Sequence, residues 1–95
     1  MRIKTIRKWN EIDDYNAALN EITKRNKAGL KRIFDTYIVD HYMQIYSVTR
    51  KSDITKDILC RFYLDIWDRP EDFRLSNGNA SAKLYLKEKL NTYLK

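Results

Sequence analysis

The sequence predicts a small all-α protein, a compact bundle of about four helices in one domain that spans residues 1–95. Three observations favour this fold class. The chain has only two Gly and one Pro, which suits helices and argues against a β fold with many turns. Its apolar residues recur at the three- and four-residue spacing of helices. Hydrophobic residues make up 43% of the chain, which is too many for a disordered protein.

The first helix is predicted over residues 11–24. Asn10 is a suitable N-cap, and Asp13 follows three residues later, a weak form of the capping box. The apolar residues of this segment form one helical stripe: Trp9, Ile12, Tyr15, Leu19 and Ile22. The polar residues 23–27 are expected to end the helix.

The second helix is predicted over residues 27–49 and is about 34 Å long at 1.5 Å per residue. Its apolar stripe consists of Leu30, Ile33, Phe34, Tyr37, Ile38, His41, Ile45 and Val48. A helix of this length needs partners on its apolar side, because propensity alone leaves it marginal. Four tyrosines at helical spacing are expected to lie mostly in the core: Tyr37, Tyr42, Tyr46 and Tyr63. We expect His41 to be a partly buried histidine with its hydrogen bonds satisfied.

Ser52 or Asp53 is expected to cap the third helix, which ends before Pro70 because the residue before proline avoids helical geometry. Its apolar residues form two adjacent rows, Ile54, Ile58, Phe62 and Ile66 in one, and Leu59, Tyr63 and Trp67 in the other. So wide an apolar face fits between two neighbouring helices.

The segment Ser-Asn-Gly-Asn at 76–79 is the strongest loop signal in the chain. Ser81 or Asn79 then caps a fourth helix, whose buried side is marked by Leu86, Leu90 and either Tyr93 or Leu94. Because the connections between the helices are short, we expect neighbouring helices to be antiparallel or crossed.

Charge and composition narrow the possible functions. The net charge is +6, and the excess lies at the ends: residues 1–8 hold four basic side chains and no acidic one, and residues 83–95 hold four against one. Basic ends suit a polyanion such as nucleic acid, and improved solubility is the plainer alternative. No apolar run approaches the length of a membrane span. We therefore expect no membrane partner. Because Cys60 is the only cysteine, a reducing cytoplasm is the expected compartment.

An enzyme is not expected. Cys60 is the only cysteine and His41 the only histidine, so the monomer can form neither a disulfide nor a structural zinc site. The two residues lie on different predicted helices, and nothing in the sequence brings them together as a nucleophile and its base. No glycine-rich phosphate loop is present. We expect no catalytic residues, no metal, no cofactor and no small-molecule substrate.

Two stretches of the chain follow a spaced pattern. The first contains Asp57, Ile58-Leu59, Cys60-Arg61, Phe62-Tyr63 and Trp67, and a Pro-x-x-Phe follows it at 70–73. The second contains Ser81, Lys83, Tyr85 and Leu86. Together with the aromatic-rich second helix, this pattern resembles region 2, the promoter-melting domain, of bacterial sigma factors of the extracytoplasmic-function type. The resemblance is strongest over residues 30–94.

The resemblance implies a transcription initiation module that binds the core of RNA polymerase and the melted −10 promoter strand. Residues implied to contact the clamp helices of the polymerase β′ subunit are Asp57, Cys60, Arg61 and Asp65. Those implied to contact single-stranded promoter DNA are Arg74, Asn77, Asn79, Lys83, Tyr85 and Lys87. The loop at 74–80 would receive a flipped base, and Tyr85 could stack on a base if its ring points outward. An anti-sigma factor is a further implied partner.

Two departures from the family pattern matter. The family has Gln-Glu where this chain has Cys60-Arg61, and like-charge contacts at an interface can cost several kcal/mol. Either the partner surface differs or polymerase binding is weakened. The family also carries a C-terminal helix-turn-helix domain, region 4, that has no counterpart in residues 1–95. The chain is then an excised domain or a naturally short relative.

Two other functions fit the same sequence. The first is a small helical protein-interaction domain that keeps the sigma-like scaffold without acting at promoters, as the change at Cys60-Arg61 suggests. The second is a basic protein that binds DNA without specificity. It would bind duplex as well as single strands, whereas a promoter-melting module should prefer the single strand.

Overall fold

The computed structural model describes residues 11–75 and 81–94. Within these residues the chain forms four α-helices and no strand, which confirms the predicted all-α bundle. The helices are α1 (Glu11–Thr23), α2 (Lys27–Thr49), α3 (Ser52–Asp68) and α4 (Ala82–Asn91), and 3₁₀ turns lie at Pro70–Phe73 and Thr92–Leu94. None of the helices so described has both the length and the apolar character needed to cross a lipid bilayer.

The longest helix, α2, lies at the centre of the bundle and packs against α1, α3 and α4. One row of its side chains, spaced four residues apart, is buried: Ile33, Tyr37, His41 and Ile45. The other helices complete the core with Tyr15, Ala18, Leu19, Ile22, Leu59, Phe62, Tyr63, Ile66, Ala82, Leu86 and Leu90. Full burial of a large apolar side chain contributes about 1.5–3 kcal/mol, so this core supplies the main stabilising term of the fold.

The turn between α1 and α2 depends on Arg25 in the left-handed conformation, with φ at 61°. The amide of Asn26 donates to the carbonyl of Glu21 and the amide of Arg25 to that of Ile22, which is a Schellman ending of α1. The Arg25 guanidinium donates to the carbonyl oxygen of Trp67 at 2.8 and 3.0 Å and lies 4.1 Å from the centre of its ring. These contacts offset the cost of a non-glycine residue there and tie the turn to the end of α3.

Gly29 permits the close crossing of α1 and α2. A Cβ atom at this position would lie 2.3 Å from the carbonyl oxygen of Ala18 and 2.8 Å from Cβ of Glu21. Both distances are far inside van der Waals contact, and one of the two atoms belongs to the backbone. The glycine is therefore required by the packing of the two helices and not by the conformation of its own backbone.

The predicted cap of α3 by Ser52 or Asp53 is wrong. The N-cap residue is Lys51, whose side chain makes no capping hydrogen bond, and Ser52 is already the first helical residue. Because the connection from α2 is so short, Thr49 at the end of that helix supports the turn. Its hydroxyl accepts from the Lys51 amide at 3.2 Å and pairs with the buried hydroxyl of Thr55 at 2.7 Å.

The 3₁₀ turn that follows α3 is anchored to α1. The buried hydroxyl of Tyr15 donates to the carbonyl oxygen of Phe73 at 2.6 Å, and burial raises the pKa of Tyr15 well above its usual range. The predicted cap of α4 by Ser81 is confirmed, since its hydroxyl accepts from the amide of Leu84 at 3.0 Å. Asn10 and Asn79, the other two predicted caps, lie outside the described residues.

Some predicted core positions are exposed instead. Phe34, Tyr46 and Val48 on α2 and Ile54 on α3 all remain open to solvent. The reason is geometric, because the predicted stripe of α2 combines two rows of the helix and only the row through His41 faces the core. The neighbouring row, with Phe34, forms the wall of a surface groove.

Candidate functional site

The outward side of α3 carries three of the four residues implied to bind polymerase. Asp57, Cys60 and Arg61 are all exposed, and they occupy one side of the helix because they lie three and four residues apart. The Arg61 guanidinium is 3.9 Å from the Asp57 carboxylate, a weak and solvated pair. These three side chains, which we call the α3 outer row, are therefore available to a partner.

Asp65, the fourth of these residues, is engaged within the chain. Its carboxylate accepts a short hydrogen bond from the hydroxyl of Tyr93 and lies 3.7 Å from the guanidinium of Arg69. Burial, followed by this hydrogen bond, raises the pKa of Tyr93 to about 12. Asp65 thus fixes the 3₁₀ turn after α4 onto α3, which is a structural role that the sequence pattern did not indicate.

Lys83 and Lys87 lie one turn apart on α4, and both side chains line a cleft between α4 and α2. This α2–α4 cleft has a volume of about 400 Å³. Its lining consists of Asp40, His41, Met43, Gln44, Ser47, Lys83 and Lys87. The cleft thus combines two cations with two polar side chains, of which the Ser47 hydroxyl donates to the carbonyl oxygen of Gln44 at 2.7 Å. Lysine side chains contact the phosphates of nucleic acids.

Two sets of contacts cross the cleft, an ion pair and a pair of hydrogen bonds. The ammonium group of Lys83 is 3.5 Å from the carboxylate of Asp40, so part of its charge is already balanced. The side-chain amide of Gln44 donates to the carbonyl oxygen of Lys87 and to the side-chain oxygen of Asn91, both at 2.9 Å. Lys87 makes no ion pair with any residue in the described part of the chain, and it is the stronger candidate for binding an anion.

His41 lies at the floor of the cleft and is only 2% exposed. Its Nδ1 atom is 2.5 Å from the hydroxyl of Tyr63, which lies on α3. Desolvation lowers the pKa of His41 to about 4, although the nearby Asp40 carboxylate acts in the opposite direction. The imidazole is therefore neutral near pH 7 and bridges α2 and α3 through Nδ1. His41 is more deeply buried than the partly buried histidine that the sequence predicts.

The remaining residues implied to bind DNA do not line the α2–α4 cleft in the described part of the chain. Arg74 is exposed beyond the 3₁₀ turn, and Asn77 and Asn79 lie outside the described residues. Tyr85 is half-buried, and its hydroxyl donates to the carbonyl oxygen of Asp72 at 3.2 Å. Burial, with a smaller effect of the Asp72 carboxylate, raises the pKa of Tyr85. Its ring is thus held against the body of the protein, which leaves little of it for stacking on a base.

The lysines of α4 do not form a single track. Lys89, two residues after Lys87, lies on another side of the helix with its ammonium 5.0 Å from the centre of the Phe73 ring. This cation–π contact ties α4 to the 3₁₀ turn. A bound strand would therefore meet Lys83 and Lys87 on one side of α4, but not Lys89.

The start of α4 is held by a residue from the opposite end of the chain. The carboxylate of Glu11 accepts from the amides of Ala82 and Lys83 at 3.1 and 3.0 Å and from the hydroxyl of Tyr37 at 2.9 Å. A carboxylate at the positive end of a helix dipole is stabilising. Glu11 thus positions the turn that carries Lys83, and sequence reasoning missed it because the two segments are remote in the chain.

Sequence reasoning also missed an apolar groove between α2 and α3. Phe34, Ile38 and Tyr42 form one wall and Leu59 and Leu64 part of the other. The second apolar row of α2 carries the signal for this groove, because its residues belong to the stripe that the spacing predicts for the core. No group of three or more His, Cys, Asp or Glu residues within 11–75 and 81–94 is arranged to hold a metal ion.

Comparisons of the chain with protein-family models, with curated proteins and with solved structures find no significant match.

Proposed function

We propose that the chain is a sigma-like transcription initiation module that binds the RNA polymerase core through the β′ clamp helices and holds the melted −10 promoter strand. The sequence pattern over residues 30–94 supports the proposal. The structural observation that carries it is the α2–α4 cleft, where Lys83 and Lys87 face the polar side chains of Gln44 and Ser47. A cleft with cations on one wall suits the phosphate backbone of a single strand.

The two halves of this function fall on different surfaces. The α3 outer row is available to polymerase, and no residue of α3 lines the α2–α4 cleft. Polymerase and an unpaired strand could therefore be bound at the same time. In the outer row, Arg61 reverses the charge that the family has at this position, so the polymerase surface facing it must be acidic or the contact is weak.

The DNA half is tested with a labelled single-stranded oligonucleotide that carries a −10-like non-template sequence. We expect binding that weakens steeply with salt, because each neutralised phosphate contributes about 0.7 to the slope of log K against log salt. Replacing both Lys83→Ala and Lys87→Ala should lower that slope by about 1, somewhat less than two full phosphates, because Lys83 is already paired with Asp40.

A matched control uses Lys27→Ala and Lys31→Ala, two exposed lysines with the same spacing on α2 that do not line the cleft. This pair should leave the salt slope nearly unchanged. Absence of binding at low salt, or an equal loss of slope in both double variants, would rule out the DNA half. Equal affinity for duplex and single strand would instead identify a nonspecific basic DNA-binding protein.

A second function is favoured by the groove between α2 and α3 and by Arg61. The chain would then be a helical protein-interaction domain that keeps a sigma-like scaffold without acting at promoters. Exposed apolar side chains that lie together in a groove are typical of a protein-interaction surface. Retention of purified core polymerase would reject this alternative.

A further inference from the structure

An apolar depression on the described surface runs between α2 and α3. It consists of two adjoining hollows of about 600 and 420 Å³ that share Phe34, Tyr63 and Leu64. We call it the α2–α3 groove. The other residues of its lining are Lys27, Leu30, Lys31, Ile38, Tyr42, Lys56, Leu59, Cys60 and Trp67.

The apolar side chains of the groove are only partly covered by the protein itself. Phe34 is 42% exposed and Leu64 58% exposed, and they stand on opposite walls. Leu30, Ile38 and Trp67 pack on the edge of the core and are half-buried. A continuous apolar surface of this kind is costly to leave in water, and in folded proteins it commonly marks an interaction site.

The charged residues that line the groove are all lysines, and the carboxylates of Asp35 and Asp57 lie just outside it. Lys27 and Lys31 lie at one end and Lys56 at the other, and no carboxylate is among the lining residues. Lys31 is paired with Asp35 on the outside of α2 at 2.7 Å. Lys27 and Lys56 form no ion pair with any other residue of 11–75 or 81–94, so their charges are available to a ligand in the groove.

We infer that the α2–α3 groove binds an amphipathic helix of a partner protein, with an apolar stripe flanked by acidic side chains. The groove extends along α2 from Lys27 to Tyr42, about 22 Å at 1.5 Å per residue, which matches a helix of about four turns. Its apolar floor would take the stripe, as in other complexes in which a helix lies in a groove. The lysines at both ends would pair with the acidic flanks.

A second copy of this chain fits the groove poorly. In a two-fold symmetric contact, the end of the groove with Lys27 and Lys31 would face the same end in the second copy or the end with Lys56 in the second copy. Lysines would face lysines in both arrangements, and the chain already carries a net charge of +6. An acidic partner removes this repulsion.

The inference goes beyond the proposed role at promoters and does not depend on it. The α2–α4 cleft shares no lining residue with the α2–α3 groove. Binding of a single strand and binding of an acidic helix can therefore succeed or fail separately. Of the α3 outer row only Cys60 also lines the groove.

The test uses a synthetic helical peptide of about 16 residues with leucines at helical spacing and glutamates on both flanks. A second peptide has lysine in place of every glutamate. We expect the acidic peptide to bind the intact chain at least about ten-fold more tightly than the basic one at low salt, with a smaller difference at high salt. Fluorescence anisotropy of labelled peptides measures both affinities.

Two variants of the groove and two controls locate the binding. Leu64→Ser and Lys56→Glu should each weaken the acidic peptide several-fold. Leu84→Ser, at a leucine that is 49% exposed on α4, and Lys87→Glu, in the other cleft, should not. All four positions are exposed, so circular dichroism should show the native fold in every variant.

Several results would overturn the inference. They are failure of the acidic peptide to bind, equal affinity for the basic peptide, or equal weakening by Leu64→Ser and Leu84→Ser. Analytical ultracentrifugation of the chain alone measures whether it forms a dimer. If the chain forms a dimer that Leu64→Ser dissociates and Leu84→Ser does not, the groove is occupied by a second copy and the acidic helix is ruled out.

Discussion

Phe62→Ala is expected to lower the free energy of unfolding by about 3–5 kcal/mol, which is a large share of the stability of a domain this small. Phe62 is 0% exposed, and its ring contacts those of His41, Tyr63, Phe73 and Tyr93 at centroid distances of 5.2–5.8 Å. These rings belong to α2, α3 and both 3₁₀ turns. Truncation therefore removes apolar burial and edge-to-face ring contacts where these elements meet.

Urea denaturation followed by circular dichroism measures the effect of Phe62→Ala. Leu64→Ala is the matched control, since Leu64 lies two residues further along α3 and is largely exposed. The control should change the free energy of unfolding by no more than about 0.5 kcal/mol. Comparable losses in the two variants would show that α3 does not bury the face described here.

Acidification is expected to destabilise the protein through His41. Burial holds the pKa of His41 at about 4 in the folded protein, against about 6.5 when the chain is unfolded. Between these values the unfolded chain binds the additional proton, so the free energy of unfolding falls as the pH is lowered. The loss should be on the order of 3 kcal/mol below pH 4, and about 1 kcal/mol per pH unit between pH 6 and 5.

The pH dependence is measured by urea denaturation at a series of pH values above 5, where most carboxylates are still ionised. His41 is the only histidine in the chain, which makes the assignment simple. The double variant His41→Phe with Tyr63→Phe replaces both partners of the buried hydrogen bond by apolar rings, a change that can be nearly neutral. It should abolish the slope. A slope that persists in this variant would show that another group is responsible.

The helices could be predicted from the sequence because each one carries strong local signals. The predicted second helix, 27–49, has the same bounds as α2, and the predicted first helix is one residue longer than α1. The apolar spacing located the helices, Pro70 marked the end of α3, and the cap at Ser81 marked the start of α4. Such signals act between residues close in the chain, so they mark where each helix begins and ends, while packing supplies most of its stability.

Which side of each helix is buried was predicted less accurately than where the helix begins and ends. The apolar stripe of α2 includes two rows, and the spacing alone does not say which row faces the core. His41 belongs to the buried row, whereas Phe34 and Tyr46 are exposed. The decision depends on where α1 and α3 cross α2. That depends on packing details such as the close approach at Gly29, which no local pattern reports.

The placement of the candidate site residues was predicted in part. The α3 outer row is exposed as expected, and Lys83 and Lys87 share one cleft. The engagement of Asp65 by Tyr93 and the capping of α4 by Glu11 were not foreseen. Both join residues far apart in the sequence, so only the folded chain brings them within hydrogen-bond distance.

The direct test of the transcription account is equilibrium binding of the chain to purified bacterial core polymerase. We expect the chain to bind weakly, because this polymerase surface faces a Glu in the resembling family, and Arg61→Glu, which restores that charge, to bind about ten-fold more tightly. Lys24→Glu, at an exposed position outside the α3 outer row, should bind as the unaltered chain does. If neither the chain nor the Arg61→Glu variant binds core polymerase, the account of this protein as an initiation module is contradicted.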